Sequence, residues 1–182
     1  MARPDGLFER YVNPIFIETG TYIGDSVQEA LDVGFERVYT IELDEARFKR
    51  CVERFADNPN VHLFQGDTLD ILPKILELVD KRATFWLDAH ITRGTVGKLK
   101  CPIVEEVKLI STHAIKNHTI LMDDRRLLGS NRFGKVHEKD IIKAIKNLNP
   151  NYDISYEDGM SSRKKKMKDD IIVATVKGEE IC

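Results

Sequence analysis

Five short apolar runs recur along the first two thirds of this chain, and each closes on an acid. They are Phe16-Ile17-Glu18, Val38-Tyr39-Thr40-Ile41-Glu42, Val61-His62-Leu63-Phe64-Gln65 followed by Gly66-Asp67, Ala83-Thr84-Phe85-Trp86-Leu87-Asp88, and His118-Thr119-Ile120-Leu121-Met122 followed by Asp123-Asp124. Runs of this length, bounded by glycine and turn residues, read as buried strands. Between them lie stretches with apolar residues at helical spacing: Val27, Ala30, Leu31; Phe48, Cys51, Val52, Phe55; Ile71, Leu72, Ile75, Leu76; Ile103, Val107, Ile110. Pro73 and Pro102 fall where the first turns of two of these helices are expected, and Asp44 and Asp67 are placed to cap. Strand and helix in alternation predict a parallel sheet covered on both faces. A last helix over 136–148 ends at Asn149-Pro150-Asn151. Strands over 152–156 and 171–176 then follow with no helix between them, which predicts a C-terminal antiparallel hairpin on a doubly wound, mostly parallel, seven-stranded α/β sheet.

With 182 residues, the chain is long enough for one domain and too short for a separate substrate domain. Residues 15–182 are read as that domain and residues 1–14 as an arm or lid, so acceptor contacts fall to this arm, to loops 91–100 and 125–136, or to a second subunit of a homodimer. A net charge of −2 from 28 basic and 30 acidic residues supplies no global field for a polyanion, so nucleic acid is an unlikely partner. Three cysteines, Cys51, Cys101 and Cys182, are odd in number and far apart, which fits a reduced, cytoplasmic setting better than a disulfide framework or zinc site. No signal-peptide core precedes Pro14, and no run approaches the roughly 20 apolar residues of a membrane span.

Right-handed crossovers bring every strand-to-helix loop to the carboxyl edge of the sheet, where ligands bind if the strand order reverses. The acids therefore collect on that edge. Gly20 and Gly24 bracket a strand-to-helix turn whose backbone can approach a ligand closely, and Tyr22 stands where a dinucleotide fingerprint has its middle glycine. This substitution disfavours a pyrophosphate and leaves a smaller adenosine-containing ligand. Glu42 can accept from both hydroxyls of a ribose, and Asp67, with Thr68, can meet an adenine amine; a cap for the helix near Leu69 competes for Asp67. Asp88, Asp123 and Asp124 must protonate, pair with Arg93, Arg125 or Arg126, or hold a hard divalent cation such as Mg²⁺. His90, two residues after Asp88, shares its face in an extended segment and is the candidate general base. His113, His118 and His137 read as structural, and the Lys-rich run 163–168 as a solvated turn.

Glu18-Thr19-Gly20…Gly24, Ile41-Glu42-Leu43-Asp44, Gly66-Asp67-Thr68 and Leu87-Asp88 together resemble the successive motifs of class I S-adenosylmethionine-dependent methyltransferases. The Asp88 and Asp123-Asp124 pattern is similar to cation-dependent O-methyltransferases of the catechol, caffeoyl-coenzyme A and macrolide-sugar types. The resemblance implies a Rossmann-like fold and an S-adenosyl-L-methionine cofactor. Its methionine part would lie against Glu18, Thr19, Gly20, Thr21, Tyr22, Gly24 and Ser26. The ribose would meet Glu42 and Leu43, the adenine Asp67 and Thr68, with Asp88 beside the reacting centre. A cation on Asp88, Asp123 and Asp124 would assist methyl transfer to a hydroxyl of a sugar, glycan or other small acceptor, with His90 and Asp88 catalytic. Alternatives are a metal-independent methyltransferase acting on RNA or protein, a nicotinamide-dinucleotide oxidoreductase, and a non-catalytic cofactor-binding protein.

Overall fold

The alternating pattern folds as a single seven-stranded sheet in a computed structural model that describes residues 6–90, 97–160 and 165–176. The parallel part comprises β1 (Ile15–Thr19), β2 (Arg37–Glu42), β3 (Val61–Gln65), β4 (Ala83–Leu87) and β5 (Thr119–Met122). Its helices are α1 (Asp25–Asp32), α2 (Glu45–Arg54), α3 (Thr68–Leu76), α4 (Ile103–Ile110) and α5 (Glu138–Leu148). The hairpin is β6 (Tyr152–Met160) and β7 (Lys166–Val176), with β7 antiparallel to both β5 and β6. In space the order is β3-β2-β1-β4-β5-β7-β6. The order reverses between β1 and β4, which pair in register from Ile15↔Ala83 to Thr19↔Leu87, so the two strands release their loops side by side.

Alternation sorts the core. Ile15, Ile17, Ile41, Phe85 and Leu87 face the side covered by α3, α4 and α5, while Phe16, Val38, Trp86 and Val173 face α1 and α2. The segment expected as an arm or lid packs, from residue 6 onward, on this second face. Leu7 and Phe8 are fully buried, and the Phe8 ring lies 4.8 Å from Phe16 and 5.4 Å from Trp86. Asn13 Nδ2 donates to the hydroxyls of Thr84 (2.8 Å) and Thr119 (3.1 Å), which ties the segment to the amino edge of β4 and β5, opposite the acids. Residues 1–5, and 91–96 of the expected loop, lie outside the described residues.

Two boundaries differ from expectation. Pro73 sits at the sixth residue of α3 rather than in its first turn. The helix runs on to Leu76 because Leu72, Ile75 and Leu76 are buried, and their burial outweighs one lost hydrogen bond. The hairpin extends well past 156 and before 171. The added residues are mostly polar and carry no apolar period, yet Asp158 holds Lys166 (2.7 Å) and the Asp169 amide (3.0 Å) there. Lys166 belongs to β7, and residues 163–164 of the Lys-rich run lie outside the described residues. Among the described residues, no helix is long and apolar enough to cross a membrane.

Candidate active site

The turn after β1 is shaped by close contact with β2 and β4. The amides of Gly20 and Thr21 both donate to Ile41 O, at 2.9 and 3.1 Å. Gly20 has φ +93°, and a Cβ there would lie 2.8 Å from the Asp88 carbonyl oxygen, so this position requires glycine. Tyr22 takes the left-handed region at φ +55° without being glycine. Its amide donates to Glu42 Oε2 (2.7 Å) and the Arg47 guanidinium lies 4.9 Å over its ring, two restraints that hold a strained residue in place. The Asp44 amide donates to Glu42 Oε1 at 2.8 Å. Burial pushes the Glu42 carboxyl up, and these two amides oppose the shift. Each oxygen keeps a lone pair for a ligand.

A cleft opens between these loops. Of the residues expected around a cofactor, Gly20, Tyr22, Glu42, Leu43, Asp67 and Thr68 line it, as do Asp88 and His90. Glu18, Thr19, Thr21, Gly24 and Ser26 do not. They form a buried strut beneath the turn: Glu18 accepts from Ser26 Oγ and from Thr40 Oγ1 (2.7 Å), and the Thr21 and Thr40 hydroxyls are 2.5 Å apart. Gly24, with φ +83°, precedes α1 where a Cβ would meet the Phe55 ring at 2.6 Å. Asp67 does cap α3, accepting from the Leu69 amide at 2.9 Å, and it also reaches across the cleft to the Lys98 amide at 2.7 Å. Cap and cleft wall are thus the same carboxylate. Arg47, Leu99 and Pro102 also line the cleft, and the sequence reading did not single them out as site residues.

At the neighbouring strand ends the acids crowd together. The Asp88 amide donates to Thr19 O (3.0 Å) and the Asp123 amide to Leu87 O (3.3 Å), so sheet pairing itself carries both residues to one edge. His90 stands between two carboxylates: Nε2 is 2.6 Å from Asp124 Oδ2, and Nδ1 is 3.2 Å from Asp88 Oδ1. The second contact is not aligned as a hydrogen bond, so Asp88 Oδ1 and His90 Nδ1 are both buried without a hydrogen-bond partner. Asp124, at φ +60°, also receives Arg126 on Oδ1 at 2.5 Å, and its own amide donates to Asp123 Oδ1 at 2.7 Å. Arg126 then bridges to Asp170 of β7 through its guanidinium and its amide, the latter at 2.9 Å. Of the expected arginine partners, Arg126 joins the acids. Arg125 turns to Glu138 (2.9 Å) and stacks over Tyr156 at 4.3 Å, and Arg93 lies outside the described residues.

The electrostatics follow from this arrangement. Burial, then the charges of Asp123 and Asp124, push the Asp88 carboxyl well above the ordinary range. Burial and Asp124 raise Asp123 to about 6. For Asp124 the upward push of burial is outweighed by His90 and Arg126, which hold it below the usual value. The donor chemistry fits a hard divalent cation. Oxygen ligands predominate, Asp88 carries an orphaned buried oxygen, and donor atoms of Asp88, His90 and Asp124 all lie within 4.8 Å of one another, as do those of Asp123, Asp124 and Asp170. Asp170 was missed by the sequence reading. An acid pair opening the most apolar stretch of β7 was the available signal, because a charge at the head of a buried strand needs a partner.

No protein-family model matches the chain, and no curated protein matches it in sequence. Similarity appears in the fold. The O-methyltransferase TomG from Streptomyces achromogenes, solved with S-adenosylmethionine, superposes with a TM-score of 0.64 at 18% identity, over 94% of this chain and 77% of that one. An O-methyltransferase from Bacillus cereus, solved with S-adenosylhomocysteine, gives a TM-score of 0.62 at 17% identity, over 94% and 77%. Spermidine synthase from Thermotoga maritima gives 0.61 at 11% identity, over 96% of this chain and 57% of that one. The fold of this chain is therefore that of the class I methyltransferases, a Rossmann-like α/β sheet with a C-terminal antiparallel hairpin, and it is also the fold of a spermidine synthase.

Proposed function

We propose that this chain is an S-adenosyl-L-methionine-dependent O-methyltransferase acting on a hydroxyl of a sugar, glycan or other small acceptor. The observation that carries this reading is the meeting, at the β1/β4 reversal, of a cleft walled by Glu42, Asp67 and Thr68 with the buried Asp88–His90–Asp124 group. Glu42 and Leu43 would hold the ribose, Asp67 and Thr68 the adenine, and Gly20 and Tyr22 the methionine part, with the Glu18–Ser26–Thr40 strut fixing the turn. The cofactor supplies a methyl group on a sulfonium for in-line displacement, so the protein's part is alignment and proton removal. With His90 Nε2 donating to Asp124, the Nδ1 lone pair is left to take the acceptor's hydroxyl proton. A divalent cation on Asp88, Asp123 and Asp124 would lower the pKa of that hydroxyl. Residues 97–102 and 125–136, with a second subunit in a homodimer, would enclose the acceptor.

A second, metal-independent reading is favoured by one specific contact set: both oxygens of Asp124 already face His90 and Arg126. Excess chelator separates the two. Loss of methyl transfer with cofactor binding intact, restored by Mg²⁺, supports the cation; full activity in chelator supports Arg126 as the resident counter-charge. The reading as a whole is tested by incubating the protein with labelled S-adenosylmethionine and a panel of sugars and catechols. Hydroxyl methylation supports it, and cofactor binding with labelling confined to RNA or protein would replace it.

A further inference from the structure

Glu106 is a buried acid to which neither the fold nor the proposed chemistry assigns a task. It lies on α4, one turn after Pro102, whose carbonyl accepts from the Glu106 amide at 2.9 Å, and its side chain is fully buried. The hydroxyls of Thr19, at the end of β1, and Thr68, at the start of α3, lie near enough to favour its charged form, yet neither carboxyl oxygen nor Thr19 Oγ1 closes an aligned hydrogen bond. Two of these neighbours reach the cleft: Thr68 lines it, and Pro102 lines it from the α4 side. An acid left unsatisfied in a core is expensive, and apolar residues of similar volume would serve packing better at this point.

We infer that Glu106 is a positioning residue of the adenine end of the cleft, and that cofactor binding drives it to its carboxylate form by turning the Thr68 hydroxyl toward it. As a carboxylate it accepts the Thr68 hydrogen, so Thr68 offers only lone pairs to the cleft, matching Asp67 beside it and suiting the N–H donors of an adenine amine. As a neutral acid it can instead donate to Thr68, whose hydrogen then points at those same donors. One proton therefore decides whether the wall accepts or repels the amine. Burial raises the Glu106 carboxyl to about 7, opposed by Thr68 and Thr19. Of the groups facing it, α3 contributes Asp67, which also pushes it up, and β1 contributes only the Thr19 hydroxyl. The approach to α4 contributes Cys101, whose thiol burial holds at about 11 and hence neutral.

This inference rests on the cofactor reading above, and its test separates the two. Calorimetric titration of the whole protein with S-adenosylhomocysteine at about pH 6 and about pH 8 should show the parent binding roughly fivefold tighter at the higher pH, the share of a one-unit fall in a single pKa from about 7 that this range spans. Glu106→Gln should bind with an affinity that changes less than about twofold over that range. An equal pH dependence in parent and Glu106→Gln overturns the inference. Should Glu106→Gln not fold, Thr68→Val takes its place, with loss of the pH dependence supporting the inference and its retention overturning it. Absence of binding by the parent at either pH overturns the cofactor reading, and this inference with it.

Discussion

The two halves of the carboxyl edge treat the same residue type in opposite ways. On the β1-β2-β3 side every expected acid is satisfied by short-range donors: Glu42 by two amides, Asp67 by the amides of Leu69 and Lys98, and Glu18 by the hydroxyls of Ser26 and Thr40. On the β4-β5-β7 side the acids face one another, and among the described residues His90 and Arg126 offset them. Carboxylates that accept amide hydrogens shape a loop. Carboxylates that crowd in a dry site hold protons or cations, and there proton-transfer chemistry becomes available.

The largest effect should come from breaking the crowded half at its centre. His90→Ala should lower methyl transfer by roughly 10²–10⁴-fold while leaving S-adenosylhomocysteine affinity within about twofold, measured by single-turnover kinetics and calorimetry. Unchanged turnover would make His90 merely a counter-charge to Asp124. On the ordered half, Glu42→Ala should weaken cofactor binding by about 2–4 kcal/mol, because it would remove the proposed ribose acceptors and free the Tyr22 and Asp44 amides together. An affinity equal to the parent's would take Glu42 out of the site.

Away from both halves, Phe8→Ala should destabilise the fold by about 3–5 kcal/mol in chemical denaturation, since it empties a site against Phe16 and Trp86 on the far face of the sheet. A small effect on stability with a large one on turnover would instead make residues 6–14 a lid. The smallest effect is a pH dependence of the crowded half. The Asp123 pKa is raised to about 6 from an unfolded value near 3.8, so in the absence of metal its neutral form adds stability that is fully present below the unfolded pKa and is lost as pH rises through about 6. Asp123→Asn should therefore gain on the parent by at most about 3 kcal/mol between pH 4 and pH 8. A constant difference across that range would place Asp123 in water.

Much of this contrast could be read from the chain because strand ends are local facts. The strands over 61–65 and 83–87 form as the apolar runs indicate, and Glu42, Asp88 and Asp123 reach the edge because β–α–β pairing leaves them no other place. What stayed hidden depends on partners distant in sequence. Asp170 enters the cluster only through the β5–β7 pairing, and Leu7 and Phe8 are core because the chain returns them to the sheet face that carries Phe16 and Trp86. Glu18 and Ser26 looked like ligand contacts, yet Thr40 on the adjacent strand draws Glu18 inward. Glu106 was legible in hindsight of spacing alone: Ile103, Glu106, Val107 and Ile110 fall at i, i+3, i+4 and i+7, which puts a carboxyl in the apolar stripe.

Under the proposed function, the ordered half holds an adenosyl sulfonium cofactor and not a dinucleotide. Parallel calorimetric titrations of the parent protein with S-adenosylmethionine, S-adenosylhomocysteine and NAD test it most directly. One site per chain is expected for each of the first two ligands, both weakened in Glu42→Ala, and no measurable heat with NAD, because Tyr22 stands where a dinucleotide-binding turn needs its middle glycine. Saturable NAD binding with no response to either adenosyl ligand would contradict it.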